Sequence, residues 1–90
     1  MENEVRAAAE MPRYKCHKEV WALKLEGVAP VNEDGSVWLY PVDKTYAAFI
    51  VSAEFVAKHK PTAGGYYVLY KDGYQSFSPA DAFEDGYTRI

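Results

Sequence analysis

The sequence predicts an α+β domain, with an antiparallel sheet of four to five strands and two short helices on one face of that sheet. Three observations support this fold class. Apolar and polar residues alternate over 18–25, which is typical of a strand. The pair Asp72-Gly73 lies between two aromatic-rich runs, which is a strong signal of a β-hairpin. Ser52 and Ser78 each precede a helix-favouring segment and are good N-cap residues.

The 90 residues suit one small domain. We expect residues 12–90 to form a single compact unit. Residues 1–11 are expected to be a flexible or short helical N-terminal extension, because they lack aromatic side chains and Pro12 ends their helix-favouring run. Met11 is a possible start of a shorter version of the same domain.

Three strands are expected in the first half of the chain, at 18–25, 37–40 and 46–51. In the first of them, Trp21, Leu23 and Leu25 share one face and are the predicted core residues. Residues 32–35, Asn-Glu-Asp-Gly, have the composition of a turn.

The hairpin at 66–77 is expected to have a two-residue type I′ turn. Such a turn places Val68 opposite Phe77, and the face that carries both is the predicted core face. The opposite face, with Tyr67 and Tyr74, is expected to be half exposed. Gly64-Gly65 is interpreted as a loop that approaches the hairpin closely.

Two helices are expected, near 52–60 and 78–85. Ser52 is the predicted N-cap of the first, and Pro61 ends it. Ser78 is the predicted N-cap of the second, with Pro79 at its first position and Gly86 at its end.

The net charge of −3 argues against generic nucleic-acid binding through a basic surface. The charge is uneven, because residues 13–24 are mainly basic and residues 26–43 carry acidic side chains alone. This distribution suits a local anionic ligand or a protein partner; the alternative is that both segments are ordinary solvated surface. The single cysteine excludes an internal disulfide framework, and no apolar run is long enough to span a membrane.

The sequence gives no motif for catalysis, for a metal or for a cofactor, and we expect a non-enzymatic protein. Cys16 and His17 are adjacent, so on a strand they point to opposite faces, and one cysteine and two histidines are too few for a typical zinc site. A small hydrolase or nuclease is the weaker alternative. The chain has two Trp, eight Tyr and four Phe, and in so small a domain this content favours a homo-oligomer.

The candidate binding site combines aromatic and basic residues, because phosphate groups need Arg or Lys donors and a base or a protein hot spot needs an aromatic plane. The alternative is that the tyrosines only cover the sheet with their hydroxyls in water. The candidate ligand- or partner-binding residues are Arg13, Tyr14, His17, Lys18, Tyr67, Tyr70, Tyr74 and Arg89. The hypothesis requires the basic segment to lie next to the hairpin.

Two segments resemble a group of small bacteriophage and prophage proteins of uncharacterised function. Residues 65–90, GYYVLYKDGYQSFSPADAFEDGYTRI, are similar to the end of these proteins, and residues 12–24, PRYKCHKEVWALK, are similar to their beginning. The resemblance covers roughly 12–25 and 51–90, while the acidic middle and the first residues depart from it.

The resemblance implies a soluble protein in the cytoplasm of an infected bacterium. Small phage accessory proteins often act by stoichiometric binding. The expected function is therefore a binder that counters a host defence system, either by inhibiting a defence protein or by sequestering a small anionic nucleotide signal. The alternative is a phage structural or assembly protein that acts through self-association.

Overall fold

The computed structural model of the chain describes residues 11–15 and 19–89. The expected N-terminal extension lies outside the described residues except for Met11. The elements follow in the order β1 (Arg13–Lys15), β2 (Glu19–Val28), β3 (Val37–Pro41), β4 (Phe49–Val51), α1 (Ala53–His59), β5 (Tyr66–Tyr70), β6 (Gln75–Ser78), α2 (Ala80–Gly86) and β7 (Thr88–Arg89).

The sheet is antiparallel and is organised around the long strand β2. β2 pairs with β5 over residues 20–24, with β1 over 19–21 and with β3 from Leu25 to Val28, with a register shift between Leu25 and Gly27. Beyond these pairs, β4 joins β3, β6 joins β5, and the short β7 joins β1. The α+β class, the antiparallel sheet of the five expected strands and the two short helices are confirmed, and β1 and β7 extend the sheet.

The five expected strands, β2 to β6, have a simple connectivity. β2 lies between β3 and β5, and α1 connects β4 to β5. A fold of this kind hosts many unrelated functions, so the function has to be argued from the surface of this chain.

The two helices contact different apolar clusters on opposite faces of the sheet, so the prediction that both lie on one face is wrong. The first cluster consists of Leu25, Val37, Leu39, Val51, Phe55, Tyr67 and Leu69, and Phe55 is the contribution of α1. The second cluster consists of Val20, Ala22, Tyr66, Val68 and Phe83, and Phe83 is the contribution of α2. Alternate residues of β5 therefore pack in different clusters. Because both faces of the strand are buried, its sequence is an almost uninterrupted apolar run.

The predicted core of β2 is correct for two residues and incomplete for the strand. Leu23 and Leu25 are buried, and Trp21 is half-buried against the first cluster. Val20 and Ala22, which were expected on the other face, are completely buried in the second cluster. β2 is thus covered on both faces in this part of the sheet.

The hairpin register differs from the expected one by one residue. The turn has three residues, with Gly73 at φ 91°, and the Tyr70 amide donates to the Tyr74 carbonyl. Phe77 therefore lies opposite Tyr67 and packs on the first cluster, whereas Val68 belongs to the second. The prediction that Val68 and Phe77 share a face is wrong, because a one-residue slip moves a side chain to the other face of a sheet.

The helix starts show one correct and one incorrect cap. Ser52 caps α1, since its hydroxyl accepts a hydrogen bond from the Phe55 amide at 3.1 Å. Ser78 does not cap α2: it ends β6, and the N-cap position is occupied by Pro79, which makes no side-chain cap bond.

The close approach expected at Gly64-Gly65 is present. A Cβ atom at Gly65 would overlap the ring of Phe77 and would lie 2.9 Å from the Ser78 carbonyl oxygen. The absence of a side chain at this position therefore lets the loop before β5 pass directly over β6.

Candidate binding surfaces

The structure describes six of the eight candidate residues, since His17 and Lys18 lie outside the described residues. The backbones of Arg89 and Tyr14 are register partners on β7 and β1. Tyr14 is in turn opposite Val20, and Val20 is opposite Tyr70. The basic segment in β1 and the hairpin strand β5 are therefore both paired with β2 at the same residue, Val20, which gives the proximity that the hypothesis requires.

Side-chain ion pairs also connect β1 to the hairpin turn. The Glu19 carboxylate lies 3.2 Å from the Arg13 guanidinium and 3.9 Å from the Lys71 ammonium. The Arg13 and Lys71 side chains are more than half exposed, so these pairs contribute little to stability. Their main effect is to hold charged groups of both signs at this end of the sheet.

An open depression of about 470 Å³ lies at the same end, between Glu19, Tyr70, Lys71, Asp72 and Tyr74. The rings of Tyr70 and Tyr74 are stacked with centroids 5.7 Å apart. We call these five residues the hairpin depression. It offers aromatic surface together with both carboxylate and ammonium groups, which suits a polar ligand or a protein side chain better than a purely anionic one.

The end of α1 supports the outer side of this depression. The centre of the His59 ring lies 4.7 Å from the centre of the Phe55 ring and 6.1 Å from that of the Tyr74 ring. The Lys58 ammonium is 5.2 Å from the centre of the Tyr74 ring. Partial burial, and then the neighbouring Lys58 charge, hold the pKa of His59 below its ordinary value. His59 is therefore neutral near pH 7 and acts there as a packing group.

Tyr67 is in the core and does not line the hairpin depression. It is 7% exposed, and its ring packs against Phe49 at 4.7 Å and Phe55 at 5.9 Å. The structure thus brings Arg13, Tyr70 and Tyr74 to one end of the sheet and assigns Tyr67 to the first cluster. A binding role for the exposed candidate residues stays a prediction.

Within residues 11–15 and 19–89, no three His, Cys, Asp or Glu side chains come together as possible metal ligands. The helices of the same described part are all too short and too polar to cross a membrane.

A second exposed surface was missed by sequence reasoning. Trp38, Tyr40 and Ile50 are 42%, 42% and 50% exposed, and they lie on β3 and β4 with Trp38 directly opposite Ile50. We call these three residues the outer face. The signal was present in the alternation of 37–41, where Val37, Leu39 and Pro41 are buried and the two aromatic residues between them are exposed.

Two small residues, one on β2 and one just after it, leave the outer face uncovered. Gly27 lies opposite Tyr40, and the Ala29 amide donates to the Trp38 carbonyl at 2.9 Å. Neither residue has a side chain large enough to shield an aromatic ring. The result is a group of three exposed large apolar side chains on one face of β3 and β4, and exposed apolar side chains that lie together mark a candidate interaction site.

Acidic groups lie at both ends of the outer face. At one end is the turn with Glu33 and Asp34. Two hydrogen bonds from Ser36, first from its hydroxyl and then from its amide, keep the pKa of Asp34 below its ordinary value. At the other end are Glu26, whose carboxylate lies 2.7 Å from the Lys44 ammonium, and Asp43.

Comparisons with known proteins give one informative match. No protein-family model matches the chain, and no curated protein matches it. A solved structure does match: the NMR solution structure of the monomeric form of the phage L decoration protein, with 34% sequence identity and a TM-score of 0.66. The match covers 87% of this chain and 58% of the decoration protein, so the chain spans little more than half the length of that protein.

This match agrees with the phage resemblance in general terms, since the similar structure is that of a phage protein. It also agrees with a non-enzymatic role, because a decoration protein is a structural component. The expectation of a protein that counters host defence is wrong. The matched structure is that of a structural phage protein, which fits the alternative interpretation from the sequence and not the main one.

Proposed function

We propose that this chain is a structural protein of a phage particle and that it decorates the particle by binding to the assembled protein shell. The observation that carries the proposal is the similarity to the phage L decoration protein, at 34% identity over 87% of the chain. The protein acts without catalysis, as a stoichiometric ligand of the shell. It is made in the cytoplasm of the host bacterium, where the particles assemble.

The physical properties of the domain are compatible with this role. Two apolar clusters and a sheet that pairs β2 with three other strands give a rigid body with little ordering cost on binding. Its exposed aromatic residues provide the type of side chain that dominates protein interfaces. Association between copies, expected from the aromatic content, adds avidity when many shell sites are close together.

The test uses particles of the phage that encodes the chain. A deletion phage that lacks the gene provides particles without the protein, and the purified full chain is added to them at increasing concentration. We expect the chain to sediment with the particles and to saturate at a fixed number of copies per shell subunit. An unrelated acidic protein of the same size is the control for protein that sediments with the particles without binding to them.

Wild-type particles provide an independent measurement. The protein should be present in purified virions in the same copy number, as determined by quantitative mass spectrometry. If the chain neither sediments with the deletion particles nor occurs in wild-type virions, the proposal is refuted.

A further inference from the structure

The outer face is rigid and is built from side chains that suit a binding interface. β3 lies between β2 and β4: Trp38 is paired with Ile50 of β4, and Tyr40 is paired with Gly27 of β2, so a paired backbone holds both aromatic residues. Trp and Tyr are the residue types most often found at interface hot spots, and a preorganised backbone reduces the entropy lost on binding.

Other parts of the fold do not compete for this surface. The inward residues of β3, Val37 and Leu39, belong to the first cluster, and Phe55 of α1 packs on that same inner side. Phe83 of α2 belongs to the second cluster. In the described part of the chain, both helices therefore serve the interior, and the outer face remains the apolar side that β3 and β4 present to a partner.

The charges around the outer face indicate what kind of partner fits it. Glu33 and Asp34 precede Trp38 on the chain, and Glu26 and Asp43 lie near the other end of β3; Lys44 is the basic residue here, and it is already paired with Glu26. Two copies that met through this face would bring acidic rims together, which is unfavourable. A partner with Lys or Arg around an apolar centre would instead be attracted.

From this arrangement we propose that the outer face, Trp38, Tyr40 and Ile50, is the surface that binds the shell, and that the shell protein meets it with an apolar patch rimmed by basic side chains. The inference rests on the proposed function and names the partner chemistry of that binding. Trp38 and Tyr40 supply most of the affinity. The acidic residues around the outer face orient the partner and increase the rate of association; they are Glu26, Glu33, Asp34 and Asp43.

The hairpin depression is the competing surface, and Tyr74 is the residue that tests it. Tyr74 is 45% exposed, almost the same as Trp38, and it lies beside β6 rather than on the outer face. The experiment measures the binding of four full-length proteins to the deletion particles: wild type, the double variant Trp38→Ser/Ile50→Ser, Tyr74→Ser, and Glu33→Lys. Thermal unfolding of each variant in solution checks its folding.

We expect the double variant to bind at least about 30-fold more weakly than wild type, as is typical when central hot-spot residues are truncated. Tyr74→Ser should weaken binding far less than the double variant does, and an equal loss would place the shell contact at the hairpin depression and overturn the inference. Glu33→Lys, a single charge reversal on an exposed turn, should slow association and make it less sensitive to salt. It also tests the inference if the double variant does not fold.

Each contrary outcome has a distinct meaning. If wild type binds and both the double variant and Glu33→Lys bind equally well, the outer face is not the shell contact, while the proposed function stands. If Glu33→Lys binds faster, the shell is not basic and the inference fails. If the double variant instead abolishes a wild-type oligomer in solution, the occupant is a second copy and the inference is overturned. If wild type does not bind at all, the proposed function itself fails.

Discussion

Replacement of Phe83 by alanine should remove the main contact between α2 and the sheet. Phe83 is 1% exposed, and its ring is stacked on Tyr66 at 4.2 Å and on Tyr87 at 4.4 Å. Truncation of a buried phenylalanine costs about 3–5 kcal/mol. A domain of this length has a free energy of unfolding of about 4–13 kcal/mol, so Phe83→Ala should remove a large part of its stability.

The assay is urea and thermal unfolding followed by circular dichroism, from which the free energy of unfolding and Tm are obtained. A loss of 3 kcal/mol corresponds to a fall in Tm of at least about 12 °C for a domain of this size. Phe83→Leu keeps most of the apolar volume and loses the two ring stacks, so it should cost about 1–2 kcal/mol. Ile50→Ala, at a half-exposed position, should change stability by no more than about 0.5 kcal/mol.

Two results would refute this reasoning. One is a loss below about 1 kcal/mol for Phe83→Ala, which would mean that α2 contributes little to the folded state. The other is an equal loss for the leucine and alanine variants, which would mean that ring stacking and not burial holds the helix.

Three further predictions concern local features. Gly65→Ala should destabilise the protein by about 1–3 kcal/mol, because the new methyl group has no space, whereas Gly86→Ala, at an open helical position, should be neutral or stabilising by up to about 1 kcal/mol; unfolding in urea compares the two. Ser52→Ala should cost about 1 kcal/mol through loss of the α1 cap, and Ser78→Ala should have little effect in the same assay because Ser78 caps no helix. Hydrogen bonds from the Tyr66 hydroxyl and then from the Lys24 ammonium lower the pKa of the Glu84 carboxyl, so its stabilising effect is present above its unfolded-state pKa and is lost as the pH falls through the lower folded-state value. In Tm measurements from pH 7 to 3, the difference between wild type and Glu84→Gln should shrink toward zero at the acid end. A difference that stays constant with pH would contradict this.

The strands and helices were largely predictable because their signals are local. Alternation along β2 and β3, the Asp-Gly turn and the Ser52 cap each depend on residues within a few positions of one another. The hairpin register was not predictable from these signals. Asp72-Gly73 is compatible with a two-residue turn and with a three-residue turn that has Gly73 at positive φ. The choice between them is made by which residues can be buried in each cluster.

The candidate site shows the same division. The candidate-site hypothesis required the basic segment to lie next to the hairpin, but no local signal decides this; the tertiary structure brings Arg13 and Lys71 to the same Glu19 carboxylate. Sequence reasoning could not distinguish Tyr67, which is buried, from Tyr74, which is exposed, because the two differ in their long-range neighbours and not in their local sequence.

The sequence by itself determined the elements of this protein: which segments are strands and helices, where most of them end, and that the domain combines the two classes. The tertiary structure decided which faces of these elements are covered. It placed α1 and α2 on different clusters, buried both faces of β2, and left Trp38, Tyr40 and Ile50 exposed. The physical reason is that local propensity acts between near neighbours in the chain, whereas burial depends on which distant segments pack together.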